Sequence, residues 1–136
     1  MIQRLVDDFR TRLAIDPPIA VSVVPTNARI VSVSPPRASD QAFELVIERA
    51  FLNVLSDDEL SAVIAHELGH VWVSTHHPYL QTELLANTIA MRVVTRESLE
   101  RVYEKMWSRD GRKGDLLRFL GPAPAEPVVA DLVRRD

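Results

Sequence analysis

The sequence predicts an α+β domain: an N-terminal helix and a three-stranded sheet packed on a histidine-bearing helix, then a glutamate-bearing helix and C-terminal helices. Three observations predict it. Ile2, Leu5, Val6, Phe9 and Leu13 recur at helical spacing. Three short apolar runs rich in β-branched residues, at 19–24, 29–33 and 43–47, are each bounded by turn or proline signals. From Ser56 onward the pattern is helical, with a break at Pro78.

In order along the chain, the first helix covers residues 2–14 and ends at Asp16-Pro17-Pro18. Ile19 to Val24 reads as a strand stopped by Pro25, because proline cannot donate to a ladder. Thr26-Asn27-Ala28 is a turn, Arg29 to Val33 a second strand, and Pro35 to Asp40 a polar, exposed loop. Phe43 to Ile47 is the third strand, and Phe51 to Leu55 an apolar bridge. Ser56-Asp57-Asp58-Glu59 has the Ser-x-x-Glu form of a capping box, with acidic residues at the positive end of the helix that follows. That helix should run from about Asp57 to Ser74, a second from Leu80 to Val94 and a third from Arg96 to Trp107. A turn at 109–114 precedes a short helix to Leu120. Residues 1–120 thus read as a single domain, and 121–136 as a Pro-rich tail that is extended or loosely held.

The 136 residues suit one domain with a real core. The chain has no cysteine, which excludes disulfides, iron–sulfur clusters and cysteine-ligated metal. Its formal charge of −3 shows no basic bias toward nucleic acid. The longest apolar runs fall far short of a membrane span, and the N-terminus lacks the apolar core of a signal peptide. The expectation is a soluble cytoplasmic protein with no nucleic-acid or membrane partner.

The chemistry concentrates in His66-Glu67-Leu68-Gly69-His70, a His-Glu-x-x-His sequence inside the capped helix. Residues four apart share a helix face, so both imidazoles can hold one Zn²⁺, and Glu67 can take a proton from water activated by that ion. At about 100° per residue, Leu60, Ile64, Leu68, Val71 and Trp72 form a packing arc, with Val63, His66, Glu67 and His70 on the opposite arc. Gly69 is unfavourable inside a helix by about 1 kcal/mol, which implies close approach of another backbone. The bland alternative is a helix with two solvated histidines; Glu67 and the cap both argue against it.

A catalytic zinc needs a third protein ligand and an open position. Glu83, His76 and His77 are the candidates downstream. Glu83 shares a helix face with Asn87 and Ala90. The small Ala86 and Ala90 would let that helix come close, and Asn87 can bond the second ring nitrogen of a ligand histidine. A three-histidine site is the runner-up, and a plain helix-terminal glutamate is the ordinary reading of Glu83 taken alone.

His-Glu-Leu-Gly-His followed by Glu-x-x-Ala-Asn on the next helix resembles the gluzincin metallopeptidases. The lead-in Leu55 to Ala65 is similar to the HtpX/CaaX-protease group. The short link to the glutamate helix, with Asn after Ala86, is similar to the ImmA/IrrE family. The resemblance spans roughly 43–95. It implies a small zincin-like domain, zinc on His66, His70 and Glu83, and Glu67 as general base. It also implies that a peptide substrate lies antiparallel to a cleft-edge strand, which would be Phe43 to Ile47.

The expected function is therefore zinc-dependent peptide-bond hydrolysis on a peptide or protein substrate. His76, His77, Tyr79, Tyr103 and the arginines are candidates for an oxyanion donor, His76 and His77 also for an alternative ligand. The alternative is a zinc-binding interaction module that cleaves nothing. The tail's apolar Val128, Val129, Leu132 and Val133 suggest that it packs on the domain, enters the cleft or docks on a second copy.

Overall fold

The strand with the strongest alternation occupies the middle of the sheet. A computed structural model describes residues 2–36, 42–111 and 114–122. In it β1 (Ile19–Val24), β2 (Val31–Ser34) and β3 (Phe43–Glu48) form one sheet in the order β1-β3-β2. β1 runs parallel to β3, with Ile19 opposite Phe43, and β2 runs antiparallel to it, with Val31 opposite Ile47. Phe43, Leu45 and Ile47 are buried on one face together with Ile19 and Val31.

This corrects the expected cleft edge. β3 is hydrogen-bonded on both sides, so no peptide can add to it. The outer edge of β1 is occupied by a side chain: Gln3 donates to the Ile19 carbonyl (2.8 Å) and accepts from the Val21 amide (3.0 Å). Among the described residues no strand pairs with the outer edge of β2. Its register pairs Ile30 and Ser32 with β3, so the backbone of Val33 faces outward.

β2 also begins two residues later than its sequence suggests, because Ile30 is buried in a left-handed conformation (φ 69°). Asn27 builds that turn: its Oδ1 accepts from the Arg29 amide, and its Nδ2 donates to Val46 O and Ser32 Oγ. The Asn27 amide donates to Glu48, whose carboxylate pairs with Arg109.

Six helices complete the described residues. α1 (Ile2–Arg12) packs Val6 and Phe9 into the core. α2 (Arg49–Leu52) is the short bridge that carries the buried Phe51. α3 (Asp57–His76) starts at the expected capping box, with Ser56 Oγ accepting from Glu59 N (3.2 Å) and Glu59 Oε1 accepting from Ser56 N (2.8 Å). Glu59 is buried as well, and Lys105 and Arg101 reach it, tying α5 to the start of α3. α4 (Glu83–Ala90) is shorter at both ends than the periodicity implies: a 3₁₀ turn (Pro78–Leu80) precedes its Thr82 cap, and a turn replaces its last residues. α5 (Arg96–Asp110) is capped by Thr95, and α6 (Leu116–Leu120) by Asp115. The tail beyond Pro122 lies outside the described residues.

α3 is not two-faced as the helical wheel implies. Ile64, Leu68 and Val71 are buried, but so are Ala62, Val63, Ala65, Gly69 and Val73. α1, β2, α4 and α5 all contact it, so it is a central helix enclosed on several sides. Gly69 explains how α4 comes so close. A Cβ there would stand 2.1 Å from the Ala86 carbonyl oxygen, so the two backbones touch.

Candidate active site

α3 supplies two imidazoles one turn apart, and the tight crossing at Gly69 brings the first turn of α4 against them. His66 Nε2 lies 3.1 Å from Glu83 Oε1, and His70 Nε2 lies 2.9 Å from Glu83 Oε2. Ligand atoms of His66, His70 and Glu83 all fall within 4.8 Å of one another, close enough to share one metal ion.

The opposite ring nitrogens are both engaged. His66 Nδ1 is 2.7 Å from Asn87 Oδ1, and His70 Nδ1 is 2.7 Å from Gln81 Oε1. Asn87 is fully buried, and its Nδ2 donates to Phe119 O and to Tyr103 Oη, both at 2.9 Å, so its Oδ1 must face the histidine. Gln81 is fixed likewise by donating to the His70 carbonyl (3.1 Å). Both imidazoles therefore carry hydrogen on Nδ1 and turn Nε2 toward Glu83. Tyr103, packed flat on Phe119, donates to Glu83 Oε1 (3.1 Å) and closes the network. The donor set, two imidazole nitrogens and one carboxylate with the far nitrogens occupied, fits a divalent metal of the zinc type.

Glu67 stands beside this cluster, buried, with Oε2 3.9 Å from His66 Nε2. Burial pushes its carboxyl above the usual range, against the pull of His66 and His70. Burial acts against the charge on His66, yet the Glu83 hydrogen bond and the Glu67 and Glu83 charges raise it to about 9. His70 is raised too, against burial, mainly through Glu83. Burial opposes ionisation of Glu83, but both histidines hold its carboxyl well below the usual range. Burial and the Glu83 charge push the Tyr103 phenol up, which keeps it a proton donor.

A pH dependence follows. Below about pH 9 His66 carries a proton that must leave before Nε2 can take a metal. Affinity for zinc should therefore rise by up to about tenfold per pH unit from pH 6 toward 9, with proton release. Chelator competition at pH 6.5, 7.5 and 8.5 measures this; a flat affinity would contradict the protonated His66.

The site opens into a cleft of about 410 Å³, lined also by Arg29 and the β2 residues Val31, Ser32 and Val33. A small void of about 40 Å³ lies beneath, lined by Val63, Leu99, Val102 and Met106 among others. The other candidates named from sequence are elsewhere. His76 stacks on Trp72 (4.0 Å between ring centroids) and bonds the Trp72 carbonyl, His77 is exposed, and Tyr79 is 98% exposed; none lines the cleft. His76 ends α3, and His77 and Tyr79 lie in the turn beyond it, so the structure does not bring them into the ligand cluster. Sequence reasoning missed Gln81 and the link from Tyr103 to Glu83. Gln81 carried one weak signal, its place just before the Thr82 cap of the glutamate helix.

A helix-borne His-Glu-x-x-His face, a carboxylate from the next helix and an open cleft beside a small sheet define a metallopeptidase. Residues 39–126 match peptidase family M48, and the chain belongs to that family. Its fold is similar to the crystal structure of the metallopeptidase zymogen abylysin of Pyrococcus abyssi, over 85% of this chain and 100% of that one, with 19% identity and a TM-score of 0.59. No curated protein matches the sequence. Among the described residues no helix is long and apolar enough to cross a membrane.

Proposed function

We propose that the protein is a zinc-dependent endopeptidase of gluzincin type, with zinc held by His66 Nε2, His70 Nε2 and the Glu83 carboxylate and Glu67 as general base. One observation carries this reading: three donor atoms converge while both remaining imidazole nitrogens are already bonded to amide oxygens. Zinc held there supplies Lewis acidity, acidifying water and polarising a carbonyl.

The chain's own residues do the rest. Glu67 takes the proton from the attacking water on its carboxylate and returns it to the leaving amine. In the metal-free protein burial raises its pKa, which makes its carboxylate the stronger proton acceptor. Asn87 and Gln81 hold the two rings in the tautomer that frees Nε2, and Tyr103 holds the Glu83 carboxylate in place. A peptide adds as a strand to the outer edge of β2. The lead-in to α3 and the short link to α4 support a place near the HtpX/CaaX-protease group or the ImmA/IrrE family, and the cysteine-free composition suits a cytoplasmic site of action.

The test is metal content with peptide cleavage. The purified protein should carry about one zinc per chain, a chelator should stop cleavage of a peptide library, and added zinc should restore it. Glu83→Ala should weaken zinc binding by about 100-fold or more, whereas His77→Ala should leave it within twofold. Zinc binding without cleavage of any peptide would leave a metal-binding interaction module instead.

A further inference from the structure

The cleft holds a cation that forms no ion pair with the metal cluster or with Glu67, although its charge is felt by the Glu67 carboxyl. Among the described residues lining it, Arg29 is the one lysine or arginine. Arg29 is exposed, and the ion pairs formed by described arginines and lysines involve Arg12, Arg96, Arg101, Lys105 and Arg109 instead. The other charged or chargeable groups of the cleft are His66, His70 and Glu83 of the metal cluster and the proposed base Glu67 beside it.

The backbone that presents Arg29 is built at a cost. Ile30 is β-branched and left-handed (φ 69°), a conformation held because its side chain is buried. Asn27 fixes the preceding turn with three hydrogen bonds, one of them to the Arg29 amide. The Val31 amide bonds back to the Arg29 carbonyl at 2.7 Å. The turn thus buries Ile30, leaves Arg29 outward and starts β2 one residue later. Arg29 consequently sits at the end of the edge to which a substrate strand would add, and it lines the same cleft as the metal cluster. There a guanidinium with no ion-pair partner among the described residues can fork onto a carboxylate, and it offsets the repulsion that Glu67 and Glu83 exert on an acidic peptide.

We propose that Arg29 is a specificity residue that takes a carboxylate of the peptide substrate, supplied by an acidic side chain or by the chain's C-terminus. This rests on the peptidase reading above. A role for Arg29 in stabilising the transition state is the competing use, and it predicts a different pattern.

The test uses the full-length zinc-loaded protein and matched quenched peptides. One set exchanges Glu for Gln or Lys at each position around the cleaved bond, and a second exchanges a free C-terminal carboxylate for an amide. Wild type should favour the carboxylate-bearing member of one set by about tenfold in kcat/KM, and the set that shows it identifies the source. Arg29→Ala should collapse that ratio to near one, Arg29→Lys should keep part of it, and Arg29→Glu should shift preference toward Lys. A ratio that survives Arg29→Ala, or an equal fall on every peptide, would overturn the proposal. The same peptides are also titrated against zinc-loaded Glu67→Gln protein, with and without Arg29→Ala, by fluorescence anisotropy. If wild type cleaves nothing but this binding shows an Arg29-dependent carboxylate preference, the peptidase reading fails and the Arg29 site stands. If binding shows no such preference, the Arg29 site fails.

Discussion

Glu67→Gln should lower kcat by about 10³- to 10⁴-fold while zinc affinity stays within about threefold of wild type. Glutamine matches glutamate in shape, so the packing beside His66 survives, but its amide cannot take a proton from water. Glu67 is not among the clustered ligand atoms of His66, His70 and Glu83, so the metal site should keep its donors. The variant should also melt at the same temperature or higher. Burial disfavours the Glu67 carboxylate, and a neutral amide removes that penalty. Steady-state kinetics, zinc calorimetry and thermal melts read all three. Retention of more than a tenth of the activity would exclude Glu67 as the base; loss of zinc along with activity would mean that it helps hold the metal.

The parts of the fold legible in the sequence are those that local spacing controls. The capping box at Ser56, the helical spacing of His66 and His70, and the shared face of Glu83 and Asn87 are all short-range patterns. The structure brings those four polar side chains together. Gly69 was readable too, because a helix-interior glycine needs a reason, and the Ala86 backbone is that reason. What local pattern could not reveal is pairing at long range. The order β1-β3-β2 depends on which strand is buried on both flanks, and alternation alone does not rank Phe43 to Ile47 above the others. The wheel of α3 misled for a related reason: small residues such as Ala62, Ala65 and Gly69 carry little hydrophobic weight, yet they mark the sides where other elements press closest. Gln81 and Tyr103 were missed because they stand outside the His-Glu-x-x-His and Glu-x-x-Ala-Asn patterns, and no local spacing ties them to those residues.

Gly69→Ala should be the most damaging conservative change in the protein, costing about 3 kcal/mol of stability and lowering the melting temperature by roughly 10 °C. Two effects oppose each other. Alanine is the better helix former by about 1 kcal/mol, and in an open helix it would stabilise. Here its methyl would meet the Ala86 carbonyl oxygen at 2.1 Å, the carbonyl carbon at 2.8 Å and the Cα at 3.1 Å. These are backbone atoms, so no rotamer change relieves the clash, and α3 and α4 must part by about 1 Å against close-packed neighbours. The damage extends to the site because α4 carries both Glu83 and Asn87, on either side of the contact at Ala86. Moving α4 away lengthens the reach from Glu83 to the imidazoles and loosens the Asn87 hydrogen bond that orients His66. Zinc affinity should therefore drop by about 10- to 100-fold, the range expected when a ligand's supporting hydrogen bonds are lost. Thermal melts of the metal-free protein separate the packing cost from the metal cost, and chelator competition measures the latter. Adding Ala86→Gly should not rescue the variant, since the obstructing carbonyl remains when the side chain is removed. A Gly69→Ala protein as stable as wild type, or a full rescue by Ala86→Gly, would mean that the two helices do not cross backbone to backbone at this point.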